Sequence, residues 1–352
     1  MRSSSSWIVP AFVLVPVSLA FADGGPQHRV RQTPPVKMGT SGGSANDRSG
    51  PYCCGGTLGS LVVRDGVLSI LSNNHVLARS GSAGTGEDTI QPGLIDTNCS
   101  TNNTNIVGDY AGNLVPLGSA NVDAAISTAR ATVDATGAIL DVGVPCSAVQ
   151  VPAIGMPVMK SGRTTGFTTG TITSINTSVT IQYSRKCNGG QHFNVNFTNQ
   201  ILTGPMSAGG DSGSLLLSND GTPNPVGLLF AGSASVTVYN PAQSVVNAFT
   251  AGGHTFSFVG NSCGGLGGDQ PAPAPSEEEI QAAMVAQVQH EAELFTNPGV
   301  LGVGIGQAED NPIEAVIVVY VDAPPGRAIA MIPNQIDGFR VRVIHTDKIV
   351  SQ

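Results

Sequence analysis

Gly209-Gly210-Asp211-Ser212-Gly213 runs straight into the apolar stretch Ser214-Leu215-Leu216-Leu217. A serine in a glycine-rich turn at the mouth of a buried strand is expected to present its hydroxyl. Glycines without a Cβ let successive backbone N–H groups point into one concavity. Such a concavity can hold the oxyanion of a tetrahedral intermediate, and losing one donor costs ~10²–10³ in rate. A lone serine is a weak nucleophile, so this chemistry needs a histidine base and a group to orient it.

His75 is the candidate base. It ends an apolar strand, in Ser72-Asn73-Asn74-His75-Val76-Leu77-Ala78. His28, His192, His254, His290 and His345 have no comparable surroundings. Asp123 is the candidate orienter, heading the apolar segment Ala124-Ala125-Ile126, with Asp109 and Asp134 as substitutes. Taken singly, each residue has a plainer reading: a surface histidine, a turn aspartate, a loop serine. In the order His, Asp, Ser they ask to be read together.

The composition is that of a β-rich chain with many turns. Glycine accounts for 45 of 352 residues, nearly twice the usual ~7%. Charged residues are 11%, well under the usual ~25%. A net charge of −8 argues against nucleic acid as partner and leaves no basic patch for a membrane surface. Residues 1–22 read as a signal peptide: Arg2, an apolar stretch too short to span a bilayer, then Ala20-Phe21-Ala22. A secreted or periplasmic location follows. The six cysteines, Cys53, Cys54, Cys99, Cys146, Cys187 and Cys263, are then expected to form disulfides, with connectivity open.

Residues 23–52, rich in Gly, Ser, Pro and Arg, read as a flexible or pro-segment-like tail. Residues 53–262 carry strand patterns, including a hairpin of Gly59–Val63 and Leu68–Leu71 about Arg64-Asp65-Gly66. Residues 263–275 form a Gly/Pro-rich linker. Residues 276–352 read as a small α+β domain. Ser276 and Glu279 make a capping box, and Ile280, Met284, Val288, Ala292 and Phe295 fall on one helical face. Strands are expected at Val300–Ile305, Ala315–Val321 and Arg340–Ile344.

Together, Ser-Asn-Asn-His-Val-Leu-Ala, Val-Asp-Ala-Ala-Ile and Gly-Asp-Ser-Gly-Ser-Leu resemble the chymotrypsin-like (trypsin-fold) serine peptidases, above all secreted bacterial members. Lys160-Ser161-Gly162-Arg163-Thr164-Thr165-Gly166 with Gly170-Thr171-Ile172 is similar to a strand of the α-lytic and streptogrisin-type enzymes. The resemblance implies an all-β fold of two antiparallel barrels, followed here by the α+β domain. It implies that Ser212 attacks the scissile carbonyl, His75 shuttles the proton and Asp123 holds the imidazole. It places the oxyanion hole at the N–H groups of Gly210 and Ser212. Phe230-Ala231-Gly232 would pair with an extended substrate, and Met206 and Ser207 would lie near the specificity pocket. The absence of a carboxylate there disfavours cleavage after Arg or Lys and favours a small or apolar residue.

The sequence also departs from that pattern. Val76 stands where streptogrisin-type enzymes have cysteine, and Met159 and Thr169 replace two more, so the cysteines here pair differently. The Ile-Val-Gly-Gly amino terminus is missing, so Asp211 is expected to pair inside the protein. No metal or cofactor is expected. The loop acids Glu87, Asp88 and Asp96 read as solvated charges, and Gly302-Val303-Gly304-Ile305-Gly306 as a strand rather than a phosphate loop. The expected partner is a protein or peptide substrate, with possible contact from the C-terminal domain. The alternative is a catalytically weak or inactive binding or scaffold protein of the same fold.

Overall fold

The structure is a computed structural model and describes residues 25–187, 189–263, 273–322 and 332–352. The expected signal peptide and most of the expected linker lie outside these residues. In chain order the first strands are β1 (Thr40–Ser44), β2 (Gly56–Leu58), β3 (Ser60–Arg64) and β4 (Val67–Ser72). The single-turn helix α1 (Asn74–Leu77) follows, then β5 (Asp88–Gln91), β6 (Asn105–Leu114) and β7 (Ala125–Ala129). Next come β8 (Pro157–Gly162), β9 (Gly166–Lys186), β10 (Gly189–Thr203), β11 (Leu215–Ser218), β12 (Pro225–Gly232) and β13 (Thr237–Pro241). Helix α2 (Ala242–Thr250) and β14 (Phe256–Phe258) close that part. The remainder is α3 (Glu277–Leu294), β15 (Val300–Gln307), β16 (Ala315–Val321), β17 (Phe339–His345) and β18 (Val350–Ser351).

Two antiparallel sheets make the body. The first runs β14-β3-β4-β7-β6-β5-β1-β2 and curls around Leu61, Ile70, Leu71, Val107 and Ile126. In the second, β8, β11, β12, β13, β10 and β9 pair in turn and β9 returns to β8, closing a barrel. The β3–β4 hairpin forms as the sequence predicts, with Asp65 and Gly66 both at positive φ in its turn. The barrels meet at glycines: a Cβ on Gly59 would stand 1.9 Å from the Gly213 carbonyl oxygen. Only bare backbone fits that seam.

Residues 23–52 are not a loose tail in their described part. Val36 and Met38 are fully buried, and β1 pairs with both β2 and β5. The segment Thr-Ser-Gly-Gly-Ser shows no alternation because all five of its residues are buried. A polar strand of small residues closing a sheet gives no periodic signal.

The C-terminal strands extend the second sheet. β15 pairs antiparallel with β9, and β16 and β17 continue outward. Gly304 explains the alternating glycines: a Cβ there would meet Thr177 Oγ1 at 2.3 Å. Helix α3 lies over these strands, capped by Ser276, whose hydroxyl accepts from the Glu279 N–H. Its buried residues are Ala283, Ala286, Gln287 and Leu294; of the predicted stripe, Ile280, Met284 and Phe295 pack half-buried against the same core, whereas Val288 is 68% exposed. Small alanines let the helix approach the sheet, and Gln287 Nε2 donates to the carbonyls of Asn176 and Val303.

The disulfides are Cys53–Cys99, Cys54–Cys187 and Cys146–Cys263. Cys54–Cys187 ties the first sheet to the tip of the β9–β10 hairpin.

Candidate active site

β4 and β7 pair with Ser72 opposite Ala125. That register sets Asp123, two residues before β7, beside the helix that begins two residues after β4. His75 and Asp123 therefore meet: His75 Nδ1–H donates to Asp123 Oδ2 at 2.6 Å, and the His75 backbone N–H reaches Oδ1 at 3.3 Å. Asp123 is fully buried. Its N–H donates to Asn240 Oδ1, and its carbonyl accepts from Asn73 Nδ2. A further partner carries no sequence signal: Tyr183, on β9, donates its hydroxyl to Asp123 Oδ2 at 2.8 Å. Burial, and then the Asp123 charge, push the Tyr183 phenol well up, so it stays a donor. Asp109 and Asp134 are elsewhere, the first paired with Arg130 and the second bonded to Thr136.

Burial alone would pull the His75 imidazole down. The charge and hydrogen bond of Asp123, the Gln352 backbone oxygen and Asp47 outweigh it, and the net shift is upward.

Ser212 lies at the seam, its carbonyl accepting from the Thr57 N–H. It is buried, not presented to solvent. Its Oγ donates to the Phe230 carbonyl at 3.2 Å and makes no hydrogen bond to His75. His75 Nε2 instead faces the backbone oxygen of Gln352 at 3.1 Å. The neighbouring turn is held by Asp211. Its carboxylate accepts from the N–H groups of Thr164, Thr165 and Ala208 and lies 3.3 Å from Lys160 Nζ, both side chains being fully buried. The internal pairing expected of Asp211 is this one. Gly210 has φ +99°, and a Cβ on it would strike Arg163 Nη1 and Thr164 Oγ1. Asp211 and Gly213 spend their N–H groups on Ala208 and Leu229. The N–H groups of Gly210 and Ser212 have no acceptor among the described residues.

Met206 points away from this cleft into the core with Val158, Ile172 and Tyr239. Ser207 Oγ is bonded to Thr237 Oγ1. Ala231 and Gly232 pair antiparallel with Ser351 and Val350 of β18, and the Phe230 carbonyl accepts from the Gln352 N–H at 3.3 Å.

Beside His75 and Gln352 a groove of about 390 Å³ is lined by Asp47, Arg48, Cys54, Arg79 and Lys186. Asp47 is raised to about 6, first by burial, against the opposing pull of Arg79 and His75. Its Oδ1 lies 3.3 Å from Cys187 Sγ, but a disulfide sulfur has no proton to give. For the same reason Asp47, Cys54 and Cys187, though clustered, offer no thiolate to a metal. The loop acids are ion-paired rather than simply solvated: Glu87 with Arg79, Asp88 with Arg130, Asp96 with Arg163.

No family model matches the chain, and no curated protein matches it. Solved structures do. A glutamic acid specific serine protease with a histidine triad in substrate binding aligns over 64% of this chain and 100% of its own, at 19% identity and TM-score 0.44. Protease A of Thermobifida fusca covers 64% and 99%, at 19% identity and TM-score 0.41. The chymotrypsin of Cellulomonas bogoriensis covers 64% and 99%, at 21% identity and TM-score 0.40. These are chymotrypsin-like bacterial serine proteases, the group whose motifs the sequence resembles.

Proposed function

We propose that the chain is a serine endopeptidase acting through an acyl-enzyme. The observation that carries this reading is the buried His75–Asp123 hydrogen bond at 2.6 Å beside a serine turn with two unspent N–H groups. Ser212 Oγ attacks the peptide carbonyl and its proton passes to His75 Nε2. The oxyanion settles on the N–H groups of Gly210 and Ser212. His75 then gives the proton to the leaving amine, and water repeats the sequence to free Ser212. Asp123 keeps Nδ1 protonated and stabilises the imidazolium. The three disulfides fit an oxidising compartment, in keeping with export.

The orientation of Ser212 Oγ toward Phe230 favours a second reading, a peptide-binding protein without turnover. Incubation with a diverse peptide mixture, read by mass spectrometry, separates the two. Cleavage that Ser212→Ala abolishes supports the peptidase. Equal cleavage by Ser212→Ala removes Ser212 from the role, and no cleavage by folded protein favours the binding reading.

A further inference from the structure

Strand β18 follows β17 after the irregular residues 346–349 and lies between two strands of the second barrel. Gln182 N–H donates to the Ile349 carbonyl at 3.0 Å on the β9 side. On the β12 side, Val350 and Ser351 pair with Gly232 and Ala231. This is strand addition to the track read as the substrate strand, in the antiparallel sense. Its side chains alternate as a strand requires. Ile349 is 1% exposed and belongs to the cluster with Phe197, Phe230 and Ala231, whereas Val350 is 38% exposed. Gln352 then ends the pairing with its N–H on the Phe230 carbonyl and its own oxygen 3.1 Å from His75 Nε2.

That oxygen stands where His75 would serve the bond being cut. Gln352 therefore holds the place of the residue on the acyl side of a scissile bond. Ser351 and Ile349 stand one and three residues before it. The Gln352 side chain runs along Gly232, where an added Cβ would meet Nε2 at 2.4 Å, and its Oε1 is buried with no hydrogen-bond partner among the described residues. A buried acceptor without a donor costs ~1–3 kcal/mol, and a buried charge there would cost more. The site thus has length for glutamine and no donor at Oε1 for a carboxylate.

We propose that Ile349–Gln352 is an intramolecular occupant of the substrate track. It must leave before a substrate enters, and it reports the preferred substrate: apolar three residues before the cleaved position, small one before it, and a neutral side chain of glutamine length, Gln or Met, at it. This rests on the peptidase reading for its chemistry but not for its binding.

The test uses Ser212→Ala protein, full length, with a fluorescein-labelled Ile-Val-Ser-Gln peptide followed by anisotropy. With the tail intact, binding is expected to be at least tenfold weaker than in Ser212→Ala/Ile349→Asp, whose charged side chain cannot stay in the apolar cluster. Val350→Pro is the second releasing variant, since it removes a ladder N–H from an exposed position and leaves the core untouched. Equal affinity with and without these changes, or no binding in either releasing variant when folded, overturns the occupancy. With Ser212 restored in the Ile349→Asp protein, Ile-Val-Ser-X anilides should be cut at least tenfold faster for X = Gln or Met than for Glu or Arg. Faster cleavage after Glu or Arg overturns the assigned specificity. Peptide bound but never cut would defeat the peptidase reading alone.

Discussion

Tyr183 and His75 donate to the same oxygen, Asp123 Oδ2, at 2.8 and 2.6 Å. The phenol comes from a strand of the second barrel and the imidazole from the first. The carboxylate is thus fixed across the seam by groups from both barrels. A hydrogen bond to a charged group contributes ~1.5–3 kcal/mol. Tyr183→Phe is expected to lower kcat about tenfold. It should also raise the pH at which activity appears, since an Asp123 relieved of one donor holds the His75 proton more tightly. An unchanged pH profile would make Tyr183 a packing residue only.

The upward shift of His75 has a sign that can be checked. The imidazole must be neutral to act as base, so kcat/KM is expected to rise with pH through an apparent pKa above the ordinary 6.5. Asp123→Asn removes the charge that raises it, so the midpoint falls and kcat drops by roughly 10⁴. A midpoint below 6.5 in the unmodified protein, or one that Asp123→Asn leaves in place, would contradict this.

Lys160 and Asp211 form an ion pair with no exposure on either side. Removing one partner strands the other charge, at a cost of ~3–5 kcal/mol. Lys160→Met should lose that much in urea unfolding and lose activity too, because Asp211 braces the turn carrying Ser212. A loss under about 1 kcal/mol would show the pair to be dispensable.

Asp47 gives a pH signature in stability. Its folded pKa of about 6 lies above the ordinary aspartate value of 3.8. The protonated form is favoured by folding, so its contribution is fully present below about 3.8 and is lost as pH rises through about 6. Asp47→Asn should therefore match the parent at acid pH and exceed it at pH 8 by on the order of 1–3 kcal/mol. Thermal unfolding at both ends measures this, and equal stability at pH 8 would contradict it.

Much of the site is legible in the linear sequence because each element carries its own signal. The glycine turn at Gly209–Gly213, the histidine at the end of an apolar strand and the aspartate heading another are local patterns. The hairpin turn at Asp65-Gly66 is equally local. What escapes is set by distant pairing. Tyr183 is one aromatic in an alternating strand, and only the β9 register brings it to Asp123. Val36 and Met38 are isolated apolar residues in a Pro- and Gly-rich stretch, so their burial leaves no period to detect. Val288 and Ala292 fit a helical stripe but face solvent, because α3 packs through its alanines. The segment Ile349–Gln352 is too short to read as a strand until β9 and β12 flank it.

The central claim is that Ser212 is a nucleophile activated by His75. Ile349→Asp protein treated with a fluorophosphonate probe and mapped by peptide mass tests it most directly. The adduct is expected on Ser212, and is expected to vanish in Ile349→Asp/His75→Ala. A folded protein that takes no adduct, or carries it on another residue, would contradict the claim.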